Sequence, residues 1–83
     1  MTALTPYQQA LVILSEECAE IQQAASKVLR FQQSPDQLQH EVGDLLAVIR
    51  WFVDHNHFDT EMLVYHAEAK VDKLKMWSNM FDE

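Results

Sequence analysis

Two short acidic runs carry the side chains most suited to binding a metal ion. One reads EECAE and the other EVGD. Residues three apart differ by about 60° around a helix, so Glu17 and Glu20 share one face, as do Glu41 and Asp44. Carboxylate oxygens are the ligands that Mg²⁺ prefers, and Mg²⁺ keeps room for phosphate oxygens. The runs therefore predict a magnesium site.

Both acid pairs share their helix faces with apolar residues, each pair one position off the main apolar stripe. The two lines are Ile13, Glu17, Glu20, Ala24, Lys27 and Phe31, and Glu41, Asp44, Val48 and Trp51. If the two helices pack antiparallel, the pairs converge on one partly buried site. Clustered carboxylates repel each other, and burial adds to the cost. Two divalent ions would take the net charge from −7 to −3. The alternative is a set of ordinary surface acids.

The combined pattern EExxE followed by ExxD on the next helix resembles the MazG-like, all-α nucleoside triphosphate pyrophosphohydrolases. Twenty residues, 21–40, separate the two halves. The run SKVLRF at 26–31 is similar to the short stand-alone and bacteriophage-type members. The resemblance covers residues 7–55 well and the third helix only loosely.

The resemblance implies Mg²⁺-dependent cleavage between the α and β phosphates, giving a monophosphate and pyrophosphate. It implies two or more Mg²⁺ ions per site, with Mn²⁺ as a substitute, and a homodimer or a tetramer built from two dimers. The matching metal ligands are Glu17, Glu20, Glu41 and Asp44. Glu16 matches the acid that helps hold a metal or orients the attacking water.

Phosphates also need cationic neighbours. Lys27 lies seven residues beyond Glu20, about 10 Å along the axis, and Arg30 lies one turn further. Either is a candidate for the β and γ phosphates, or else a solubilising surface charge. Lys70 and Lys73 share a face of the third helix, where family members carry basic and amide groups.

Trp51 lies seven residues beyond Asp44 on the same stripe. It is a candidate for stacking on a base, and its alternative is a core or subunit-interface tryptophan. Gly43 lies between Glu41 and Asp44, where it would permit a ligand or a neighbouring helix to approach closely. A weaker metal hypothesis is a zinc site at His55, His57 and His66.

Three helices must position these residues, at about 6–31, 35–55 and 60–79. Thr5-Pro6 and Ser34-Pro35 each resemble a cap followed by a first helical position, and Asp59 is the third cap. The linkers are short, so successive helices are expected to be antiparallel neighbours. The apolar stripes are Leu4, Tyr7, Leu11, Leu14, Cys18, Ile21, Ala25 and Val28; Leu38, Val42, Leu45, Ile49 and Phe52; and Leu63, Ala67, Val71 and Leu74.

Length and composition limit the fold. The chain has 83 residues, which suits one domain, 1–83, of an all-α antiparallel helical bundle. Three helices bury such stripes only partly, so we expect self-association to complete the core. A monomeric three-helix bundle is the alternative.

Composition also excludes several functions. A net charge of −7 disfavours a nucleic-acid surface, and a single glycine excludes Gly-rich phosphate loops. No apolar run approaches a membrane span. The lone Cys18 and the absence of a signal-like segment at 1–6 suggest a cytoplasmic protein.

The sequence therefore predicts a nucleotide pyrophosphohydrolase acting on ribo- or deoxynucleoside triphosphates in nucleotide-pool control. The alternative is a helical oligomerisation or partner-binding module without catalysis. The acid pairs discriminate between them, because an interaction module gains nothing from four partly buried carboxylates.

Overall fold

The computed structural model describes residues 3–82, and this part of the chain forms three α-helices and no strand. The helices are α1 (Pro6–Phe31), α2 (Asp36–Asp54) and α3 (Thr60–Trp77). Their bounds lie within two residues of those predicted, which confirms the all-α class. Within the described range, none of the helices has the length and apolar character needed to span a bilayer.

Side-chain caps fix where α1 and α3 begin. Thr5 Oγ1 accepts the Gln8 N–H at 3.1 Å, and the Thr5 N–H donates to Gln8 Oε1 at 2.9 Å. Pro6 follows at the first helical position. Asp59 caps α3 by accepting the Glu61 N–H at 2.9 Å. Each cap gives partners to first-turn amides that have no carbonyl to bond, so these two starts are confirmed.

The start of α2 differs from the prediction by one residue. Pro35 precedes the helix, and Ser34 Oγ accepts the Asp36 N–H at 3.3 Å. Gln37 does not close a capping box, because its amide donates to Glu41 one turn later at 2.6 Å. The first turn of α2 is therefore held less tightly than that of α1.

Helices α1 and α2 form an antiparallel hairpin. Tyr7 at the start of α1 meets Phe52 near the end of α2, with ring centroids 6.0 Å apart. At the opposite end, Val28 and Leu38 line one cavity. Phe52 is fully buried and also stacks on Phe58 at 4.6 Å. The core of the chain is concentrated at this aromatic end.

The hairpin buries a line of α1 different from the predicted stripe. The positions that face α2 alternate spacings of four and three and are buried or half-buried: Ala10, Leu14, Glu17, Ile21, Ala24 and Val28. The corresponding positions of α2 are Leu38, Glu41, Leu45, Val48 and Phe52. We call these two sets the seam. It has the heptad spacing of coiled-coil packing.

Two acids therefore lie in the seam itself. The prediction that each acid pair sits one position off the seam is wrong for Glu17 and Glu41 and fits only Glu20 and Asp44. Cys18, predicted to pack in the core, is exposed. The cause is that α1 is apolar over a wider arc than one partner helix can bury.

The rest of that arc remains exposed on the flank of the hairpin away from Glu20 and Asp44. Helical spacing places the members on α1 and α2 together on one side, and Leu4 precedes the start of α1. We call this set the apolar face: Leu4, Tyr7, Leu11, Leu29, Val42 and Leu46, all of them exposed. The acids and the apolar face thus occupy opposite flanks of the same hairpin.

Helix α3 does not complete a bundle within one chain. None of its residues is buried, and it does not pack along either of the other helices. The chain extends over 51 × 32 × 18 Å with a radius of gyration of 15.7 Å. A compact chain of this length would have about 12 Å. The expected antiparallel packing of the third helix is therefore not formed within one chain.

Gly43 has open space where a side chain would lie, since nothing comes within 4 Å of an added Cβ. No neighbouring helix of the described chain approaches Gly43 closely, so that one of its two predicted roles is not observed. Glycine destabilises a helix interior by about 1 kcal/mol relative to alanine. We predict that Gly43→Ala raises the free energy of unfolding by about that amount in urea titrations. A loss of stability would mean that another chain occupies the space.

Candidate functional site

Three carboxylates converge in the middle of the hairpin. Glu17, Glu20 and Glu41 each place one oxygen so that the three atoms lie within 4.8 Å of one another. Glu17 and Glu41 are half-buried in the seam, and Glu20 is exposed beside it. We call these three residues the acid cluster. Among residues 3–82 no other group of three His, Cys, Asp or Glu side chains comes together in this way.

Two oxygens of the acid cluster lack hydrogen-bond partners. Glu17 Oε2 and Glu41 Oε2 are buried and accept no hydrogen bond. The other oxygen of Glu41 accepts from Gln37 Nε2 at 2.6 Å. Unpaired buried oxygens are costly, because they have lost water and gained nothing in return. The seam therefore holds unused acceptor capacity.

The acid cluster favours protonation of Glu17. Burial raises the pKa of this carboxyl above its usual value. The charges of Asp44, Glu41 and Glu16 raise that pKa further, in this order, and His40 opposes them. The raised pKa reports both desolvation and the crowding of like charges.

The pKa of Glu20 is also raised, but its main cause is different. The neighbouring Glu41 carboxyl raises the pKa of Glu20, first because it can accept a hydrogen bond from the protonated form of Glu20 and then through its charge. Glu17, partial burial and Asp44 contribute less. Protonation of Glu20 is one way in which the cluster lowers its own repulsion.

Asp44 lies beside the acid cluster but outside its 4.8 Å set. Its Oδ2 is 3.3 Å from His40 Nε2, one turn earlier on α2. Its charge reaches both Glu17 and Glu20, since it raises the pKa of each. Of the four predicted metal ligands, the structure thus brings oxygens of three within 4.8 Å of one another and the fourth into electrostatic range.

The donor set fits a hard divalent cation. Such an ion takes several carboxylate oxygens at once and would satisfy the unpaired oxygens of Glu17 and Glu41. It would also offset the negative charge that raises the pKa values of Glu17 and Glu20. Acid clusters on helices are also common without any ion, so the geometry shows that the residues suit a cation and no more.

Lys27 lies at one end of the groove that contains the acid cluster. A cavity of about 440 Å³ reaches from Glu20 and Glu41 to this lysine. We call it the Lys27 cavity; its other lining residues are Gln23, Ala24, Val28, Gln33, Ser34, Gln37 and Leu38. Arg30 lies over the Phe31 ring at 5.4 Å and shares a neighbouring cavity with Lys27. Lys27 thus shares a cavity with Glu20 and Glu41, whereas Arg30 lines only the neighbouring cavity.

The remaining predicted site residues do not all lie near the acid cluster. Glu16 is exposed, one residue from the cluster. Trp51 is half-buried and lines an apolar cavity of about 340 Å³. Lys70 and Lys73 lie on α3, where they line a separate cavity with Leu74 and Trp77. Because α3 does not pack on the hairpin, one chain does not bring these lysines to the acids.

Two functional neighbours were missed from the sequence. Gln37 donates to Glu41, and His40 pairs with Asp44. Both lie four residues before their partner, a spacing that places side chains in contact on a helix and was available in the sequence. The histidines of the zinc hypothesis do not gather: within the described range, His55, His57 and His66 form no ligand cluster.

Compared with known proteins, the chain matches no protein-family model, no curated sequence and no solved structure. The acid geometry therefore stands on its own residues.

The raised pKa values make the stability of the metal-free protein depend on pH. Glu17 and Glu20 have folded pKa values above the reference value of 4.5, so the folded state holds more protons than the unfolded chain. This stabilisation is complete below pH 4.5 and is lost as the pH rises through the raised values. We predict that Glu17→Gln gains melting temperature relative to the wild type between pH 4.5 and 7 in EDTA.

Thermal melts followed by circular dichroism measure this difference. Glu68→Gln is the matched control, because Glu68 is an exposed glutamate on α3. Its difference from the wild type should change much less over the same pH range. Parallel profiles for the two variants would contradict the electrostatic account of the cluster.

Proposed function

We propose that this chain is a Mg²⁺-dependent nucleoside triphosphate pyrophosphohydrolase that cleaves between the α and β phosphates. The products are a nucleoside monophosphate and pyrophosphate, and the role is control of the nucleotide pool. The observation that carries the proposal is the convergence of Glu17, Glu20 and Glu41 within 4.8 Å, with two buried oxygens lacking partners. The EExxE and ExxD pattern, which resembles the MazG-like enzymes, supports the same reaction.

In this mechanism the acid cluster holds two or more Mg²⁺ ions, with Asp44 as a further ligand and Mn²⁺ as a substitute. When bound, the ions supply charge stabilisation to the phosphate oxygens and a lower pKa for water. Gln37 fixes the orientation of Glu41 through its 2.6 Å hydrogen bond. His40 does the same for Asp44 at 3.3 Å.

Glu16 and the basic residues complete the reaction. Glu16 is exposed beside the cluster, where it orients a water and accepts its proton as the water oxygen bonds to phosphorus. The bridging bond to the β phosphate breaks at the same phosphorus, and pyrophosphate leaves. Lys27 and Arg30 neutralise the charge of the departing group from the end of the groove. Lys70 and Lys73 contribute only if a second copy brings α3 to the site.

The active form in this proposal is a homo-oligomer, a dimer or a pair of dimers. The chain exposes 7182 Å². A compact monomer of 9.7 kDa would expose about 5,100 Å². The excess of about 2,000 Å² is within the range that one subunit of an obligate dimer buries. The apolar face lies opposite the acids, so a second copy can cover it and leave the groove open.

A helical interaction module without catalysis is the second candidate function. The exposed apolar face favours it as much as it favours an oligomeric enzyme. The two candidates differ over the acid cluster: an enzyme needs those carboxylates, whereas a module would be stabilised by losing them.

The activity prediction follows from the acid cluster. We expect pyrophosphate release from nucleoside triphosphates with Mg²⁺ and none with EDTA. Glu20→Gln and Asp44→Asn should lower kcat about a hundredfold or more, because each removes a carboxylate that would hold the ions whose charge stabilises the transition state. Glu68→Gln, an exposed glutamate on α3, should match the wild type. No release from folded wild-type protein, across all eight common ribo- and deoxynucleotides, would favour the interaction module.

The oligomer prediction uses two adjacent residues of equal exposure. Leu11 lies on the apolar face and is 41% exposed, while Val12 is 46% exposed and points to another side of α1. We predict that Leu11→Glu weakens self-association tenfold or more, since burying a leucine contributes about 1.5–3 kcal/mol. Val12→Glu should leave it unchanged. Light scattering during gel filtration measures both, and equal effects would contradict the assigned interface.

A further inference from the structure

Two cavities lie on the flank of the hairpin that carries the acids, and Glu20 and Glu41 of the acid cluster line one of them. The Lys27 cavity extends towards the end of α1. The other, which we call the Trp51 cavity, is lined by Pro6, Gln9, Ala10, Ile13, Ala47, Val48 and Trp51. Lys27 is seven residues beyond Glu20, and Trp51 is seven residues beyond Asp44. Because the helices are antiparallel, these two residues lie about 10 Å from the acids in opposite directions.

The two cavities differ in chemistry. The Lys27 cavity contains a cation and the neutral side chains Gln23, Gln33, Ser34 and Gln37, of which Gln37 already donates one bond to Glu41. Glu20 and Glu41 also line it, and bound cations would neutralise their charge. Amide and hydroxyl donors beside one lysine suit the oxygens of a phosphate chain. The apolar floor of Val28 and Leu38 limits water around those donors. This end of the groove is therefore suited to an anion.

The Trp51 cavity is suited to a flat aromatic ring. Gln9 is its one side chain with an amide, and the Nε2 of that amide already donates to the Leu4 carbonyl at 3.0 Å. The rest of the lining is apolar apart from the indole N–H. The Trp51 ring is stacked on His55 at 4.1 Å, which holds the indole in place. A cavity of about 340 Å³ has room for a nucleobase.

We infer that the groove binds a nucleoside triphosphate in one direction, with the base in the Trp51 cavity and the β and γ phosphates in the Lys27 cavity. This inference rests on the proposed function. It assigns Ile13 and Val48, together with Trp51, to base binding by apolar contact. The amide of Gln9 already makes one hydrogen bond, so the cavity has few groups left to recognise the polar edge of a base. We therefore expect nucleoside triphosphates of several bases to be substrates.

The base and the terminal phosphates of the substrate are assigned to different cavities. Binding of fragments that contain only one of these two parts therefore tests the assignment. Trp77→Phe leaves Trp51 as the sole tryptophan, because the sequence has two, and Trp77 is 84% exposed on α3. In this background, adenosine monophosphate with Mg²⁺ should quench Trp51 fluorescence. Inorganic tripolyphosphate should inhibit pyrophosphate release from the triphosphate without quenching.

Each of two variants should then weaken the binding of only one of these two fragments. Ile13→Gln places an amide in the Trp51 cavity at a position 45% exposed, where the helix tolerates it. It should weaken quenching by the monophosphate about tenfold and leave tripolyphosphate inhibition unchanged. Lys27→Gln should weaken tripolyphosphate inhibition about tenfold and leave the quenching unchanged. Val12→Gln, adjacent to Ile13 and outside the cavity, is the matched control and should change neither.

The outcomes distinguish this inference from the proposed function. If the wild type releases pyrophosphate but Ile13→Gln matches Val12→Gln in both quenching and KM, the binding direction is overturned and the reaction stands. If each variant lost binding of both fragments, the binding direction would also be overturned, because the two cavities would not be separate subsites. If the wild type releases no pyrophosphate, the proposed function fails, and the quenching data alone decide whether the Trp51 cavity binds a base.

Discussion

Glu17 and Glu41 lie where a helical hairpin would ordinarily place leucines, and the rest of the molecule is arranged around that conflict. Heptad spacing puts both carboxylates between α1 and α2, and each leaves an oxygen buried without a partner. Desolvation and repulsion raise the pKa of Glu17, and the neighbouring Glu41 carboxyl raises that of Glu20. Protonation relieves this cost at low pH, and a divalent cation would relieve it at neutral pH.

The cost is tolerable because packing is concentrated elsewhere in the hairpin. Phe52 and its aromatic neighbours close one end, while Ala10 and Ala24 let the two helices approach. The seam divides the hairpin into two flanks with different tasks. One carries the acids with the Lys27 and Trp51 cavities, and the other carries the apolar face. A second copy on the apolar face would stabilise the hairpin that holds the acids without covering the groove.

Local signals in the sequence were sufficient for the helices. Thr5 with Gln8 and Asp59 with Glu61 specify helix starts through bonds within one turn, so no knowledge of packing is needed. The pairing of the two acid runs also followed from helical spacing and a short linker.

The choice of seam did not follow from local signals. Leu14, Ile21 and Val28 belong equally to the predicted stripe and to the observed seam, so periodicity alone does not decide which neighbouring line faces α2. The place of α3 was missed for a related reason. None of its residues is buried by the part of the chain that the structure describes, and one sequence alone does not show how many copies of the chain form the core.

The central claim is that a divalent cation replaces protons in the acid cluster. The most direct measurement is a calorimetric titration of metal-free protein with Mg²⁺ at pH 6, in two buffers of different ionisation enthalpy. We expect saturable Mg²⁺ binding with net proton release from the wild type, and loss of both in Glu41→Gln. Absence of saturable binding at millimolar Mg²⁺, or equal binding by Glu41→Gln, would contradict it.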